Sequence, residues 1–344
     1  MADERTVQGA GSAPGGSGPP ARAGAGARFA GVYVATSVAF GADGSLDLDR
    51  FQEHCAWLAA EGVHGVVPNG SLGEYEALTE AERADVVTAA VEAVAGAARG
   101  GAADAGPVEV VPGVSGKSAA EAARWAEQAA GAGARAVMCL PPTSHRPTGE
   151  EVVAHFSEVA KVGLPVIAYN NPFSTRVDLV PELLSDLAGI DQVKAVKEFS
   201  QDVRRVPRIL RAAPGLEVIC GCDDTFVESM LHGAVGWIAG FANAFPSQSV
   251  RLYEDCVAGR WEDAVALYQA MLPILSWDAD PRFVQAIKAG QEEAGRYGGP
   301  VRLPRLPLPP DEEAEVREAA RAALAAGAGA PAGHRAGASA SAGA

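Results

Sequence analysis

The stretch Gln192–Ser200, QVKAVKEFS, decides the fold and carries the most informative residue of the chain. With the two-residue period of a β-strand, Val193 and Lys197 share one face, whereas Lys194 points to the other. A lysine on the inward face of an apolar strand is unusual, because burying an unpaired ammonium group costs free energy. Two interpretations stand at this point. One is an ion pair with a carboxylate such as Glu198, and the other is a nucleophilic amine that forms a Schiff base.

Composition limits the class of protein. The chain has 344 residues, of which 48% are hydrophobic, and this suits one large domain with an appendage. A net charge of −15 argues against nucleic acid or an anionic membrane as a partner, and no apolar run is long enough to span a bilayer. Five scattered cysteines predict buried, reduced thiols and a cytoplasmic location: Cys55, Cys139, Cys220, Cys222 and Cys256.

From Ala30 onward, short apolar segments that end in Gly, Pro, Asn or Asp alternate with helical segments. Eight strand–helix repeats predict an α/β fold, a (β/α)8 TIM barrel over residues 30–246, with a doubly wound open sheet as the alternative. The predicted strands are Val32–Ser37, Gly65–Pro68, Val108–Pro112, Ala136–Leu140, Pro165–Asn170, Gln192–Lys197, Leu216–Cys220 and Val235–Ala239.

The flanking regions have a different character. Residues 1–29 and 326–344 are rich in Gly, Ala and Pro, which predicts a disordered leader and a disordered tail. After Phe245-Pro246 the strand pattern stops, and amphipathic stretches predict a C-terminal helical domain over residues 247–299. The proline-rich run PVRLPRLPLPP at 300–310 cannot be helical, so residues 300–325 are predicted to form an extended surface segment and a last helix.

A barrel of this kind carries its functional residues at the carboxyl ends of the strands. After strand two, Pro68-Asn-Gly-Ser-Leu-Gly-Glu74 offers converging backbone N–H groups and a serine hydroxyl, which suit a substrate carboxylate. Strand five ends at Tyr169-Asn-Asn-Pro172, so a phenol lies one strand away from Lys197 and is a candidate for proton transfer. Asp223-Asp224 after strand seven is either part of the site or a helix N-cap.

Four motifs in this order and spacing resemble the dihydrodipicolinate synthase/N-acetylneuraminate lyase family: Gly70-Ser-Leu-Gly-Glu74, Tyr169-Asn-Asn-Pro172, Val196-Lys-Glu198, and Gly221-Cys-Asp-Asp224 with Gly240. The resemblance implies a TIM barrel with a C-terminal helical domain, assembled as a homotetramer or homodimer. It also implies Schiff-base chemistry on a small-molecule 2-oxo acid or cyclic imino acid, without a metal or an organic cofactor.

The resemblance also assigns roles to individual residues. Lys197 is expected to form the Schiff base and Tyr169 to shuttle protons. Gly70, Ser71 and Leu72 are expected to hold the substrate carboxylate, aided by the helix that follows. The remaining expected substrate contacts are Ser144, Asn171, Gly221 and Gly240.

Three departures from the synthase pattern change the expected reaction. Ser71-Leu72 replaces two threonines, and Ser144 stands where the synthase has a tyrosine that reaches into a neighbouring subunit. Ser174 stands where an arginine grips a second carboxylate, and Arg176 is nearby but out of register. Because serine cannot replace a bidentate cation, the condensation of lysine biosynthesis is disfavoured.

The sequence around the motifs is most similar to that of a catabolic subgroup of the family. It resembles the 1-pyrroline-4-hydroxy-2-carboxylate deaminases of hydroxyproline breakdown. The expected function is therefore a lyase that converts this cyclic imino acid to 2,5-dioxopentanoate and ammonia. The alternatives are a 4-hydroxy-tetrahydrodipicolinate synthase, a pyruvate-dependent aldolase, a 2-oxo-3-deoxy sugar acid dehydratase and a non-catalytic paralogue.

Overall fold

The computed structural model of the protein describes residues 26–97, 99–101 and 106–328. The predicted leader at 1–29 and tail at 326–344 lie largely outside the described residues. Within this part of the chain, no helix is long and apolar enough to cross a membrane. The five cysteines are all buried and free of disulfide bonds.

Parallel strands form the centre of the structure, and their order around the sheet follows the order of the chain. The bounds are β1 (Gly31–Ala35), β2 (Gly65–Val67), β3 in two segments (Glu109–Val110 and Gly113–Val114), β4 (Val137–Cys139), β5 (Val166–Asn170), β6 (Val193–Glu198), β7 (Glu217–Cys220) and β8 (Gly236–Ala239).

Strand β3 closes this sheet into a barrel. Its first segment pairs with β2 and its second with β4, while β1 pairs with both β2 and β8. Pro112 separates the two segments because it has no N–H group to donate. Hydrogen bonds continue across the gap nevertheless, from Met138 N to Pro112 O at 2.9 Å and from Gly113 N to Pro68 O at 2.8 Å. The predicted (β/α)8 barrel is therefore confirmed, and the open sheet is wrong.

Helices surround the barrel, with bounds α1 (Leu48–Ala60), α2 (Glu80–Val94), α3 (Ala119–Ala132), α4 (Gly149–Ala160), α5 (Pro172–Thr175), α6 (Pro181–Leu187), α7 (Arg205–Ala212) and α8 (Phe226–Leu231). Local sequence explains where several of them begin. Thr79 and Thr148 each form a capping box with a glutamate three residues later, which satisfies backbone N–H groups at the starts of α2 and α4. The short helix α5 was not predicted.

The chain after β8 is helical, with α9 (Pro246–Ala258), α10 (Trp261–Leu275), α11 (Phe283–Glu293) and α12 (Pro310–Ala328). Residues 299–309, called the C-terminal segment below, contain no regular element and join α11 to α12. Two ion pairs attach this region to the barrel. Lys288 of α11 lies 3.0 Å from the carboxylate of Glu74, and Arg302 lies 2.6 Å from that of Glu82. The C-terminal segment therefore lies beside the carboxyl ends of the strands.

Candidate active site

Lys197 is buried at the end of β6, with 5% of its surface exposed, whereas Lys194 is exposed, as the alternation predicted. Its register partner on β5 is Tyr169. The Nζ atom of Lys197 lies 4.4 Å from the centre of the Tyr169 ring and 5.8 Å from that of Phe199. The amine and the phenol that the sequence predicted on adjacent strands therefore meet at the strand ends.

Glu198 does not pair with Lys197. Its carboxylate accepts hydrogen bonds from Asn170 Nδ2 at 2.9 Å and from the Ser200 backbone N–H at 2.6 Å. Burial raises the pKa of Glu198 above its usual value. Among the described residues, no carboxylate oxygen lies within the 4.0 Å ion-pair distance of the lysine amine. The ion pair with Glu198 is therefore wrong, and the carboxyls whose charges interact with the amine at longer range are Asp223 and Asp278.

Gly221, directly after β7, gives the lysine its space. A Cβ atom at this position would lie 2.9 Å from both Cε and Cγ of Lys197, which is closer than side chains pack. Gly240 acts similarly after β8, since a Cβ atom there would lie 2.6 Å from Asp278 Oδ1. Both glycines are therefore required by close side-chain approach and not by an unusual backbone angle.

Asn171 fixes the phenol of Tyr169. Its Nδ2 donates a hydrogen bond to the Tyr169 hydroxyl oxygen at 3.0 Å, while its Oδ1 accepts one from the Ser174 backbone N–H at 3.1 Å and so caps α5. Because the amide donates to the phenol oxygen, the phenol proton stays available for another acceptor. This arrangement suits a group that passes protons to a substrate.

The loop Gly70–Leu72 packs closely against β3, since a Cβ atom on Gly113 would lie 2.3 Å from the Asn69 carbonyl oxygen. After this loop the chain makes a turn, with Glu74 N donating to Ser71 O at 3.2 Å, and forms a single 3-10 turn at Tyr75–Ala77. Helix α2 begins only at residue 80. The expected help from a following helix is therefore wrong, because a helix dipole acts only within its first turn.

One cavity of about 430 Å³ opens at the carboxyl ends of the strands. The predicted site residues that line it are Gly70, Ser71, Leu72, Tyr169, Asn171, Lys197, Gly221 and Gly240. Its apolar lining consists of Ala35, Met138, Phe173, Phe199, Ala279, Pro281 and Phe283. A mostly apolar cavity with a few converging polar groups is typical of a small-molecule site.

Ser144 does not line this cavity, so the structure does not support its predicted substrate contact. It is exposed on the loop after β4, where its hydroxyl donates to the Lys117 carbonyl oxygen at 3.1 Å, and that bond joins the loops after β3 and β4. The neighbouring His145 is exposed 3.6 Å from Glu151, and Arg176 is exposed after α5. None of these three residues reaches the amine within this chain.

Sequence reasoning missed a buried carboxyl at the cavity. Asp278 lines the cavity and accepts a hydrogen bond from the Asp223 backbone N–H at 3.1 Å. Burial raises the pKa of Asp278 well above its usual value, the charge of Asp223 raises it further, and Lys197 lowers it. Burial raises the pKa of Asp223 to about 6, against hydrogen bonds from Phe241 and Gly240. The two buried carboxyls beside the lysine therefore disfavour each other's charged forms.

The same bonds decide the role of Asp223 that the sequence left open. Its carboxylate accepts hydrogen bonds from Trp237 Nε1 at 2.9 Å and from the Phe241 N–H at 2.7 Å. Asp223 therefore ties the end of β7 to the end of β8 and is not a helix N-cap.

Arg305 is the second residue that sequence reasoning missed. It lines the cavity from the C-terminal segment, about 100 residues after the lysine in the sequence. The turn Asp278-Ala-Asp-Pro281 between two helical stretches is a signal that local analysis overlooked. No local signal marks Arg305, because the proline-rich run around it predicts only an extended segment.

Comparisons with known proteins agree with this geometry. The sequence model of the dihydrodipicolinate synthetase family matches residues 28–323. The chain is 33% identical over 297 residues to a 4-hydroxy-tetrahydrodipicolinate synthase of Methanosphaerula palustris, covering 84% of this chain and 98% of the relative. It is also 33% identical over 287 residues to an uncharacterised DapA-like lyase of Halobacterium salinarum, covering 83% and 91%.

Among solved structures, a putative dihydrodipicolinate synthetase from Pseudomonas aeruginosa superimposes with a TM-score of 0.79 at 30% identity, covering 86% of this chain and 99% of that one. The family match spans both the barrel and the C-terminal helices, which together supply the cavity lining. This chain belongs to the dihydrodipicolinate synthetase family and is a lyase of that family.

Proposed function

We propose that this protein is a Schiff-base lyase that deaminates 1-pyrroline-4-hydroxy-2-carboxylate. The observation that carries the proposal is the amine of Lys197, which is buried, has no carboxylate partner among the described residues, and lies 4.4 Å from the Tyr169 ring. A buried amine that no carboxylate holds in a close ion pair is free to attack a carbonyl or imine carbon.

The reaction begins when the Lys197 amine adds to C2 of the pyrroline. Tyr169 donates a proton to the ring nitrogen, which leaves C2 as an amine, so that the lysine is joined to C2 as a protonated imine. Loss of a proton from C3 gives an enamine, and its electrons expel the 4-hydroxyl as water once that group is protonated. Proton shifts move the double bond to C5, and hydrolysis at C5 and C2 releases ammonia, 2,5-dioxopentanoate and the free lysine.

Two proton carriers beside the amine support this order of reaction steps. The Tyr169 hydroxyl oxygen accepts a hydrogen bond from Asn171, and the hydroxyl proton has no acceptor among the described residues. Asp278 has a pKa raised by burial and by the charge of Asp223, so its carboxyl keeps a proton to higher pH than a free aspartate does. Departure of a hydroxyl and of an amine both require protons, and these two groups are able to supply them.

The substrate carboxylate is assigned to the loop after β2. Gly70 and Leu72 contribute backbone, Ser71 contributes a hydroxyl, and all three line the cavity that contains the lysine. Backbone N–H groups that converge in a tight loop form a concave binding site for an anion.

A 4-hydroxy-tetrahydrodipicolinate synthase is the second candidate, because relatives that cover most of the chain carry that name. Leu72 has no hydroxyl for a proton relay, Ser174 has no positive charge, and Ser144 lies outside the cavity. These differences favour the deaminase over the synthase. A pyruvate-dependent aldolase or a sugar acid dehydratase uses the same lysine and stays a lesser alternative.

Ammonia release from the pyrroline tests the proposal. Wild-type protein should release ammonia and a semialdehyde that a dehydrogenase oxidises to 2-oxoglutarate. Borohydride reduction during turnover should add mass at Lys197 only, and Lys197→Ala should abolish turnover, whereas the exposed Lys194→Ala is the matched control. Release of pyruvate from an aldol substrate without ammonia would favour the aldolase, and robust dihydrodipicolinate formation in a coupled reductase assay would favour the synthase.

The proposal includes a cytoplasmic location and assembly as a homotetramer or homodimer. Five cysteines without disulfide bonds support the location, since such thiols persist in reducing compartments. Light scattering of the purified protein should give a mass of two or four chains of 35.1 kDa.

A further inference from the structure

Arg305 has a positive charge without an ion-pair partner in the part of the chain that the structure describes. Its Nη1 reaches the Pro281 carbonyl oxygen at 3.4 Å, and its Cζ lies 5.4 Å from the centre of the Phe283 ring. No carboxylate among the described residues lies within ion-pair distance of it. A guanidinium has five N–H donors, so most of those on this half-buried side chain have no protein acceptor.

The two carboxyls that share the cavity with Arg305 do not neutralise it. Burial raises the pKa of Asp280, but the side-chain and backbone hydrogen bonds from Arg282 and its charge together hold that pKa below its usual value. Asp280 is therefore paired already. Asp278 has a pKa raised by burial and by Asp223, and it bonds to the Asp223 backbone. The charge of Arg305 is left for a group that enters the cavity.

A second cavity of about 380 Å³ shows which end of the site Arg305 occupies. Ser71, Ser174, Phe283 and Arg305 line both cavities and so form the partition between them, whereas Lys197 lines only the first. Lys197 is 5% exposed at the strand ends, while Arg305 is half-buried in the segment that lies beside them. Arg305 therefore marks the outer end of the cavity and the lysine its inner end.

The cavity has room for a substrate that extends toward this outer end. At about 30 Å³ for each water-sized group, a three-carbon 2-oxo acid fills less than half of a cavity of about 430 Å³. A larger substrate whose reacting carbon meets Lys197 places its far end near Ser174 and Arg305.

We propose that Arg305 binds an oxygen substituent, a hydroxyl or a carboxylate, at the end of the substrate opposite the carbon that Lys197 attacks. This inference rests on the proposed function only in assigning that attack to Lys197. In the proposed substrate the group is the 4-hydroxyl. Arg305 thereby supplies a positive charge in place of the arginine that the synthase has at the position of Ser174. It selects substrates with a distal oxygen.

Three variants test this assignment: Arg305→Gln, Arg305→Lys, and Arg176→Gln as a control at the exposed arginine beside α5. Borohydride trapping at Lys197 is measured against concentration with 2-oxoglutarate and with 2-oxopentanoate, which has the same carbon chain without the terminal carboxylate. For Arg305→Gln, the half-saturating 2-oxoglutarate concentration should rise about tenfold to a hundredfold, with 2-oxopentanoate unchanged. Arg305→Lys should lose less, and Arg176→Gln should match the wild type.

Turnover of the pyrroline tests whether Arg305 also binds a hydroxyl group. The kcat/KM for ammonia release should fall by a similar factor in Arg305→Gln, mainly through KM, with an unchanged thermal midpoint. An equal loss of both 2-oxo acids, or a loss only in Arg176→Gln, overturns this inference while the Schiff base stands. No adduct at Lys197 in the wild type overturns the proposed function itself.

Discussion

Gly221→Ala tests how closely the position of Lys197 governs the chemistry. The added methyl would lie 2.9 Å from Lys197 Cε and Cγ and from the Glu198 carbonyl oxygen, whereas ordinary contacts lie at 3.4–4 Å. The lysine must therefore move by roughly half an ångström or more, since the carbonyl belongs to a strand and yields less. A displacement of about 1 Å costs about a hundredfold in rate, so we expect kcat/KM to fall about tenfold to a hundredfold. Overpacking should lower the free energy of unfolding by about 1–3 kcal/mol.

The assay for this variant is borohydride trapping with pyruvate together with steady-state turnover, and urea unfolding measures stability in parallel. Gly215→Ala is the matched control, because a methyl at Gly215, just before β7, would meet nothing within 4 Å. If Gly221→Ala traps pyruvate and turns over substrate like the wild type, the close fit between glycine and lysine does not govern catalysis. A loss of equal size in Gly215→Ala would assign the effect to the β7 region in general.

The remaining predictions concern a proton carrier, an ion pair and a buried carboxyl. Tyr169→Phe should lower kcat by about 10²–10⁴ while retaining trapping at the lysine, and a loss of trapping would contradict a role confined to proton transfer. Lys288→Met should lower the free energy of unfolding by about 3–5 kcal/mol in urea titrations, because it leaves the buried carboxylate of Glu74 unpaired, and an unchanged midpoint would refute this. Because burial and Asp223 raise the pKa of Asp278, the folded chain binds this proton more tightly than the unfolded chain does. The stability advantage of the wild type over Asp278→Asn should therefore be largest below the usual carboxyl pKa of 3.8 and shrink as pH rises through the raised pKa of the folded state, and urea midpoints that diverge with rising pH would contradict it.

Local sequence patterns predicted the barrel well because each strand and helix of it satisfies its own pattern. The alternation in β6 identified Lys197 as inward, and the Tyr169 motif followed from the order of the strands. The break in β3 at Pro112 was also compatible with a strand, because the carbonyl of proline still accepts a hydrogen bond.

The contributions of the C-terminal region could not be predicted in the same way. Asp278 and Arg305 reach the cavity through contacts between residues far apart in sequence, and nothing in their local patterns encodes such contacts. The predicted substrate contact of Ser144 came from correspondence with a family motif whose tyrosine reaches into a neighbouring subunit. It stays a prediction, and within this chain Ser144 bonds to Lys117. Local sequence patterns therefore predict the residues at the strand ends, whereas the rest of the cavity wall depends on packing between residues far apart in the sequence.

The wide separation in sequence of the cavity-lining residues has a consequence for biosynthesis. The lining extends from Ala35 in the first strand to Arg305 in the C-terminal segment, and two ion pairs of that region hold the loop and the helix that follow β2. A nascent chain that already contains Lys197 and Tyr169 therefore has no complete cavity until Arg305 has been synthesised. Chains released from the ribosome before that point carry the Lys197 amine without the cavity that encloses it.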